Sequence, residues 1–274
     1  MSIREKARLV RGDVPVDDST FEVFINLLEV QAGLKDAYMP TVERANFEAA
    51  REAVETGRPA ASGTGVWLRE DEIAYGVRSI ASLILEGVPS ESHHVAGVLE
   101  AVEQGRLELK GVAELMLKGD MRGAERVAEK AGVDPTALSS LVAWALQPAF
   151  TSLSVRLRNY IDLSGWSSGR CPICGSYTSL SYIDKKGVFH LKCQFCGTEW
   201  DYPAGKCLFC GNDEQELISL VDLGEGKPLN LGVCHVCGNY WKLVDERLME
   251  LDIPREIYDL WTIVLDAIAR RLLK

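Results

Sequence analysis

Positive charge is in short supply in this chain: Lys and Arg number 30 against 40 Asp and Glu over 274 residues, a formal net charge of −10. The deficit runs its whole length, 19 against 25 in residues 1–170 and 11 against 15 in residues 171–274. A nucleic-acid binder needs a basic face to neutralise phosphates, so this balance argues against that class. Long apolar runs are lacking as well. None approaches the roughly 18 residues of a membrane span, and no membrane partner is expected. The first residues, MSIREKARLVRGD, are charged and carry no secretory apolar segment, which predicts a cytoplasmic location. Cysteine is absent from residues 1–170. No nucleophile–base set stands out anywhere, so the chain is not expected to be an enzyme. Ser62-Gly63-Thr64-Gly65 has neither a following GK[ST] nor a preceding strand, and it reads as a loop.

What is present is concentrated late in the chain. All eight cysteines fall in four copies of Cys-x-x-Cys-Gly: CPICG from Cys171, CQFCG from Cys193, CLFCG from Cys207 and CHVCG from Cys234. Two thiolates three positions apart can hold one tetrahedral metal ion from a tight turn, and the glycine supplies the permissive backbone that lets N–H groups point at sulfur. Four knuckles make two sites. Eighteen residues separate Cys174 from Cys193 and 23 separate Cys210 from Cys234, but only 10 lie between Cys196 and Cys207. Sequential pairing therefore predicts Cys171, Cys174, Cys193 and Cys196 at one site, and Cys207, Cys210, Cys234 and Cys237 at the other. Interleaved and nested pairings are the alternatives.

An internal repeat favours the sequential scheme. Cys193-Gln-Phe-Cys196-Gly-Thr-Glu-Trp200 and Cys234-His-Val-Cys237-Gly-Asn-Tyr-Trp241 each place Trp four residues after the last cysteine, which the other two knuckles do not. The order plain knuckle, hairpin, Trp knuckle then occurs twice, so each repeat holds one complete site. Modules of roughly 40 residues rarely bury enough apolar surface to fold unaided, whereas structural metal contributes on the order of 10–16 kcal/mol. Two divalent metal ions, zinc or iron, one per four-cysteine site, are the expected cofactors. A four-thiolate site of this form is the rubredoxin arrangement as well as the zinc-ribbon one. No catalytic or other cofactor-binding residues are expected. His190 and His235 lie beside knuckles that already have four sulfurs, and His93-His94 reads as solvated. Trp200 and Trp241 read as core, while Glu199 with Asp201 and Asp245 with Glu246 read as charged surface.

Residues 1–164 read as a helical bundle, with apolar stripes such as Ile73, Val77, Ile80, Leu83 and Ile84 at helical spacing. Asp18 and Ser19 are capping candidates, Pro40 is expected to open a second segment, and Pro148 to end the helix begun at Pro135. Gly165-Trp166-Ser167-Ser168-Gly169 is expected to be a flexible junction. Hairpins are predicted over Thr178–Ile183 with Val188–Lys192, and over Glu216–Leu223 with Leu229–Val233 around the loop Gly224-Glu225-Gly226-Lys227-Pro228. After Pro254 the pattern is helical again. The expected fold is multidomain α+β: a helical domain over 1–164, tandem rubredoxin-like or zinc-ribbon β modules over 165–203 and 204–250, and a C-terminal helix over 251–274 packing back on the rest.

The cysteine region resembles the formate dehydrogenase accessory proteins of the FdhE type. The resemblance rests on CPICGS at Cys171–Ser176, CQFCGTEW at Cys193–Trp200, the following Lys206-Cys207-Leu-Phe-Cys210, the fourth knuckle and the late helix from Asp259 to Asp266. It implies a helical domain ahead of tandem rubredoxin-like ribbons, one metal ion in each, with the eight cysteines as ligands. It also implies a cytoplasmic, non-enzymatic chaperone of protein maturation. Such a protein binds the catalytic subunit of formate dehydrogenase and is required for its activity, or for that of a related molybdo- or tungsto-enzyme. The rival readings are a rubredoxin-like iron electron-transfer protein and a zinc-ribbon adaptor for protein or nucleic acid.

Overall fold

The computed structural model describes residues 2–65, 68–222, 224 and 226–273; Leu223 and Glu225 of the second expected hairpin lie outside them. The helices before the cysteines are α1 (Ile3–Arg8), α2 (Asp18–Val42), α3 (Phe47–Glu55), α4 (Glu70–Gly87), α5 (Ser92–Glu103), α6 (Leu109–Leu117), α7 (Met121–Ala131) and α8 (Pro135–Leu157). The strands are β1 (Leu180–Ile183), β2 (Phe189–Lys192), β3 (Glu199–Asp201), β4 (Ile218–Asp222), β5 (Leu229–Cys234) and β6 (Tyr240–Asp245). Two helices close the chain, α9 (Tyr258–Trp261) and α10 (Ile263–Leu272). The α+β fold class, helices first and ribbons after, is as expected.

Two compact units emerge, one made of Val16–Ala45 and Gly65–Leu153, the other of Met1–Pro15, Asn46–Thr64 and Ser154–Lys274. In the first, α2 begins at a different residue from the one expected: Asp17 is the cap, accepting from the Thr20 N–H at 2.9 Å. Pro40 does not open a helix but sits in the last turn of α2, and α8 continues through Pro148. The apolar residues around each proline keep the helix packed where propensity alone would break it. Glu70, the first residue of α4, accepts from the Leu109 and Lys110 N–H groups at 2.9 and 2.7 Å, satisfying the start of α6. Gln31 ties α2 to α8 through the Trp144 carbonyl and Gln147. Ile73, Val77, Ile80 and Ile84 of α4 are buried; Leu83 is half-exposed. Among the described residues α8 is long and apolar enough to cross a membrane by length and composition, contrary to expectation, although more than half of its most apolar stretch is buried within the protein.

In the second unit all six strands join one sheet, ordered β3-β2-β1-β6-β5-β4. Each repeat supplies an antiparallel three-stranded meander, and β1 and β6 pair in parallel between them, Leu180 opposite Lys242 through Ile183 opposite Asp245. The ribbons are therefore fused rather than strung as separate lobes. Trp241 lies across the bare backbone of Gly232 on β5, and Trp200 is buried with its Nε1–H donating to the Ser168 carbonyl at 3.1 Å, so both tryptophans are core. The junction before the first knuckle is not flexible linker. Trp166 is buried and donates to the Arg170 carbonyl at 2.7 Å, and any Cβ on Gly169 would collide with the Leu208 backbone.

The closing helices meet the sheet through charge. Lys242 on β6 is buried, and its ammonium bonds Asp259 at 2.9 Å and Asp266 at 3.0 Å; the Tyr240 hydroxyl also donates to Asp266 at 2.9 Å. Burial pushes the Lys242 pKa down, but the two aspartates outweigh it and the net shift is upward. A cation whose pKa is raised on folding stabilises fully below its unfolded value, about 10.4, and loses that contribution as pH climbs through the folded value. Lys242→Met should thus lower stability by a constant amount from pH 7 to about 10, and the gap from wild type should close above that, as read by chemical denaturation at each pH.

Candidate metal centre

Each knuckle is the same small backbone device. The glycine after the second cysteine has positive φ in all four, +82° at Gly175, +72° at Gly197, +74° at Gly211 and +71° at Gly238. This turn brings the glycine N–H back to the carbonyl of the first cysteine, at 3.0, 2.9, 3.1 and 2.9 Å in the same order. The first cysteine's own N–H then donates to the residue after the glycine: Ser176, Thr198, Asn212 and Asn239. Two main-chain bonds thus close each loop around its sulfurs. Cys196 N–H donates to Cys193 Sγ and Phe209 N–H to Cys207 Sγ, both at 3.4 Å.

The fold joins knuckles that are consecutive in sequence. Cys171 lies 3.5 Å from Cys196 and Cys174 3.5 Å from Cys193, sulfur to sulfur. Cys207 lies 3.7 Å from Cys237, and Cys210 3.7 Å from Cys234. In each group of four the sulfurs all fall within 4.8 Å of one another. A disulfide needs about 2.05 Å, so these are separate thiols. A tetrahedron with metal–sulfur bonds of about 2.3 Å has edges of about 3.8 Å, and both groups fit it. The two groups of four can each hold a metal ion.

Electrostatics make the same demand. Burial pushes the Cys171 thiol well up; hydrogen bonds with Cys171, Cys193 and Cys196, then burial, do the same to Cys174. At Cys196 burial also raises the pKa, but hydrogen bonds from the other three cysteines and Thr198 outweigh it and hold this thiol well down. In the second group burial pushes Cys207 up to about 12, while Asn239, Cys207 and Cys210 outweigh burial at Cys237 and bring it to about 7. Within each cluster one thiol is thus held down while others are pushed up, and a cation is what would allow four to ionise together.

The surroundings of the first group were not legible in the sequence. Ala60 and Ala61 N–H donate to the Pro172 and Ile173 carbonyls at 2.8 Å each, so a segment far upstream in the chain grips the first knuckle. Gly63 in that segment has room for no side chain because the Ala49 backbone abuts it. Ser62, expected in a loop, ends a short 3-10 turn over Ala60–Ser62, and the loop is Gly63–Gly65, with the Thr64 carbonyl accepting from Asn46 N–H. Behind the second knuckle, Thr198 Oγ1 stands 3.0 Å from Cys196 Sγ and 2.7 Å from Ser154 Oγ, at the end of α8.

Two expectations about charge need correction. Glu199 is half-buried rather than a surface acid. It accepts from the Tyr182 hydroxyl at 2.8 Å, Lys192 at 3.0 Å and Arg255 at 3.2 Å. Asp245 and Glu246 are also buried, held by Arg247 and Arg255, with the Arg255 guanidinium 4.2 Å from the Tyr182 ring centre. The sheet face gives these acids partners that a local reading cannot supply. Asp201 is exposed on its outer side, where it meets His190 Nδ1 at 2.8 Å. His235 Nε2 meets Ser219 Oγ at 2.7 Å, and neither histidine joins a group of four. Of the His93-His94 pair expected in solvent, His93 is exposed and His94 half-exposed.

The knuckle glycines offer a graded test. Gly197→Ala should cost about 1–2 kcal/mol from its left-handed backbone alone, since open space surrounds its Cα. Gly175→Ala should cost more, because its new Cβ would also meet Pro59 Cγ at 2.9 Å. Thermal unfolding of the metal-loaded variants reads the order directly.

Comparison with known proteins agrees with this architecture. Residues 170–203 match the family model described as FdhE, central domain. A protein FdhE homolog from Aquifex aeolicus is 29% identical over 139 residues, covering 49% of this chain and 48% of the relative. One from Erwinia tasmaniensis is 29% identical over 196 residues, covering 71% and 60%. The chain thus spans between about half and three fifths of the length of these relatives. The crystal structure of the FdhE protein from Pseudomonas aeruginosa shares the fold, with a TM-score of 0.65 at 22% identity over 98% of this chain and 90% of that one. With its central-domain match spanning the first four-cysteine group, this chain is similar to the FdhE-type proteins in that region and shares their fold.

Proposed function

We propose that the chain is a metal-binding accessory protein for the maturation of formate dehydrogenase or a related molybdo- or tungsto-enzyme, acting by binding the catalytic subunit. One observation carries this reading: two groups of four cysteines, each with the spacing of a tetrahedral thiolate site, borne by two repeats that share a single sheet. Cys171, Cys174, Cys193 and Cys196 would hold one zinc or iron ion, and Cys207, Cys210, Cys234 and Cys237 the other. Four thiolates fill a tetrahedron and leave no position for substrate, which supports a role in binding rather than catalysis. The ion supplies folding free energy to its ribbon and neutralises crowded sulfur. Eight unpaired cysteines suit a reducing compartment, and the cytoplasm is the location we infer on that ground.

The test is anaerobic purification of the tagged chain from its native host, with metal analysis and identification of co-purifying proteins. The expected result is two zinc or iron ions per chain together with a molybdo- or tungsto-enzyme subunit, and loss of that subunit in Cys193→Ser and Cys234→Ser. Metal-loaded protein that brings down no such subunit overturns the client assignment. Iron with a visible band that bleaches reversibly, and no client, moves the assignment to electron transfer.

A further inference from the structure

The two groups of four are unlike in one respect that nothing in their shared motif explains. The first is sealed. Cys171 is 0% exposed, Cys174 9%, Cys193 1% and Cys196 1%. Its first knuckle is gripped by the Ala60 and Ala61 N–H groups, with Pro59 against Gly175; its second is backed by the buried Thr198–Ser154 hydroxyl pair. The second group is open on one side. Cys207 and Cys234 are buried, but Cys210 is exposed and Cys237 half-exposed. Val236, inside the last knuckle, is 55% exposed.

We propose that the second group is an exchange site, passing its ion to and from small thiol or carboxylate chelators, while the first keeps its ion through the life of the fold. The inference rests on the reading that both groups bind metal. Exchange at a four-thiolate centre proceeds by an incoming donor bonding to the metal as a thiolate leaves. The open side admits that donor next to Cys210. Exposed Cys210 and half-exposed Cys237 would be the ligands a competing donor replaces first, and buried Cys207 and Cys234 the last to give up the ion. The metal keeps its oxidation state throughout, so no oxidant or reductant takes part. At the first group the same attack requires the 59–63 segment or the end of α8 to come away beforehand, so release there is limited by local opening.

The full chain loaded with zinc to two ions, then mixed with excess 4-(2-pyridylazo)resorcinol, reads this division. One ion should leave fast and one slowly, the rates differing by about tenfold or more, the ratio imposed by a local opening of about 1.4 kcal/mol. Pulsed iodoacetamide labelling with mass spectrometry should find Cys207, Cys210, Cys234 and Cys237 modified in the fast phase, and Cys171, Cys174, Cys193 and Cys196 in the slow one. Cys210→Ser should abolish the fast ion and leave the slow one in place. A single phase releasing both ions, or labelling that begins in the first group, overturns the division while the metal reading stands. Protein that takes up fewer than two ions overturns both. The labelling order in wild-type protein decides the matter even where a cysteine variant fails to fold.

Discussion

Sulfur held against sulfur at 3.5–3.7 Å is the constraint that the ribbons depend on. Four thiols at that spacing resist ionising together. A divalent ion would resolve the conflict, since it would let all four sulfurs carry charge. The strands of each repeat are short, three to six residues. Hairpins of this length are marginal alone. The knuckle turns, each closed by two main-chain bonds and a left-handed glycine, set the ends of those strands at fixed separations.

A second layer of order comes from the end of the chain. The residue before the repeated tryptophan, Glu199 in one repeat and Tyr240 in the other, faces the closing segment: Glu199 takes Arg255, and Tyr240 gives its hydroxyl to Asp266. Lys242 adds Asp259 and Asp266, and Gln194, inside the second knuckle, reaches Asp259 at 2.5 Å. The same face of both repeats is thus clasped by one stretch of chain. Buried charge here is paired and hydrogen-bonded, which is the condition under which such groups are tolerated.

The sequence was legible where structure is local. Four knuckles, their pairing, both hairpins and the helices Leu109–Leu117 and Met121–Ala131 follow from spacing, glycine placement and periodicity alone. What escaped is long-range. The parallel β1–β6 joint pairs residues from opposite ends of the cysteine region and leaves no mark in either strand's pattern. The grip of Ala60 and Ala61 on the first knuckle uses backbone N–H groups, which carry no side-chain signature. Pro40 and Pro148 misled because tertiary burial of the helices around them outweighs a local preference. Glu199, Asp245 and Glu246 were misread for a related reason: a carboxylate looks solvated until its cation is known.

The asymmetry of the two four-cysteine groups goes with an asymmetry in how the repeats are joined. A pair related by a two-fold axis would present like surfaces to each other, and its two centres would share one environment. Here the repeats meet head to tail, the first strand of one against the last strand of the other, so the joint consumes unlike surfaces. The first strand of the leading repeat is thereby internal, whereas its counterpart β4 stands at the sheet edge. Once the surroundings differ, a shared motif no longer implies shared access. The leading group recruits the 59–63 segment and Ser154 and is closed over, while the trailing one keeps Cys210 in solvent. The repeat makes the two groups chemically alike, and the unlike chain segments packed around each give them unequal access to solvent.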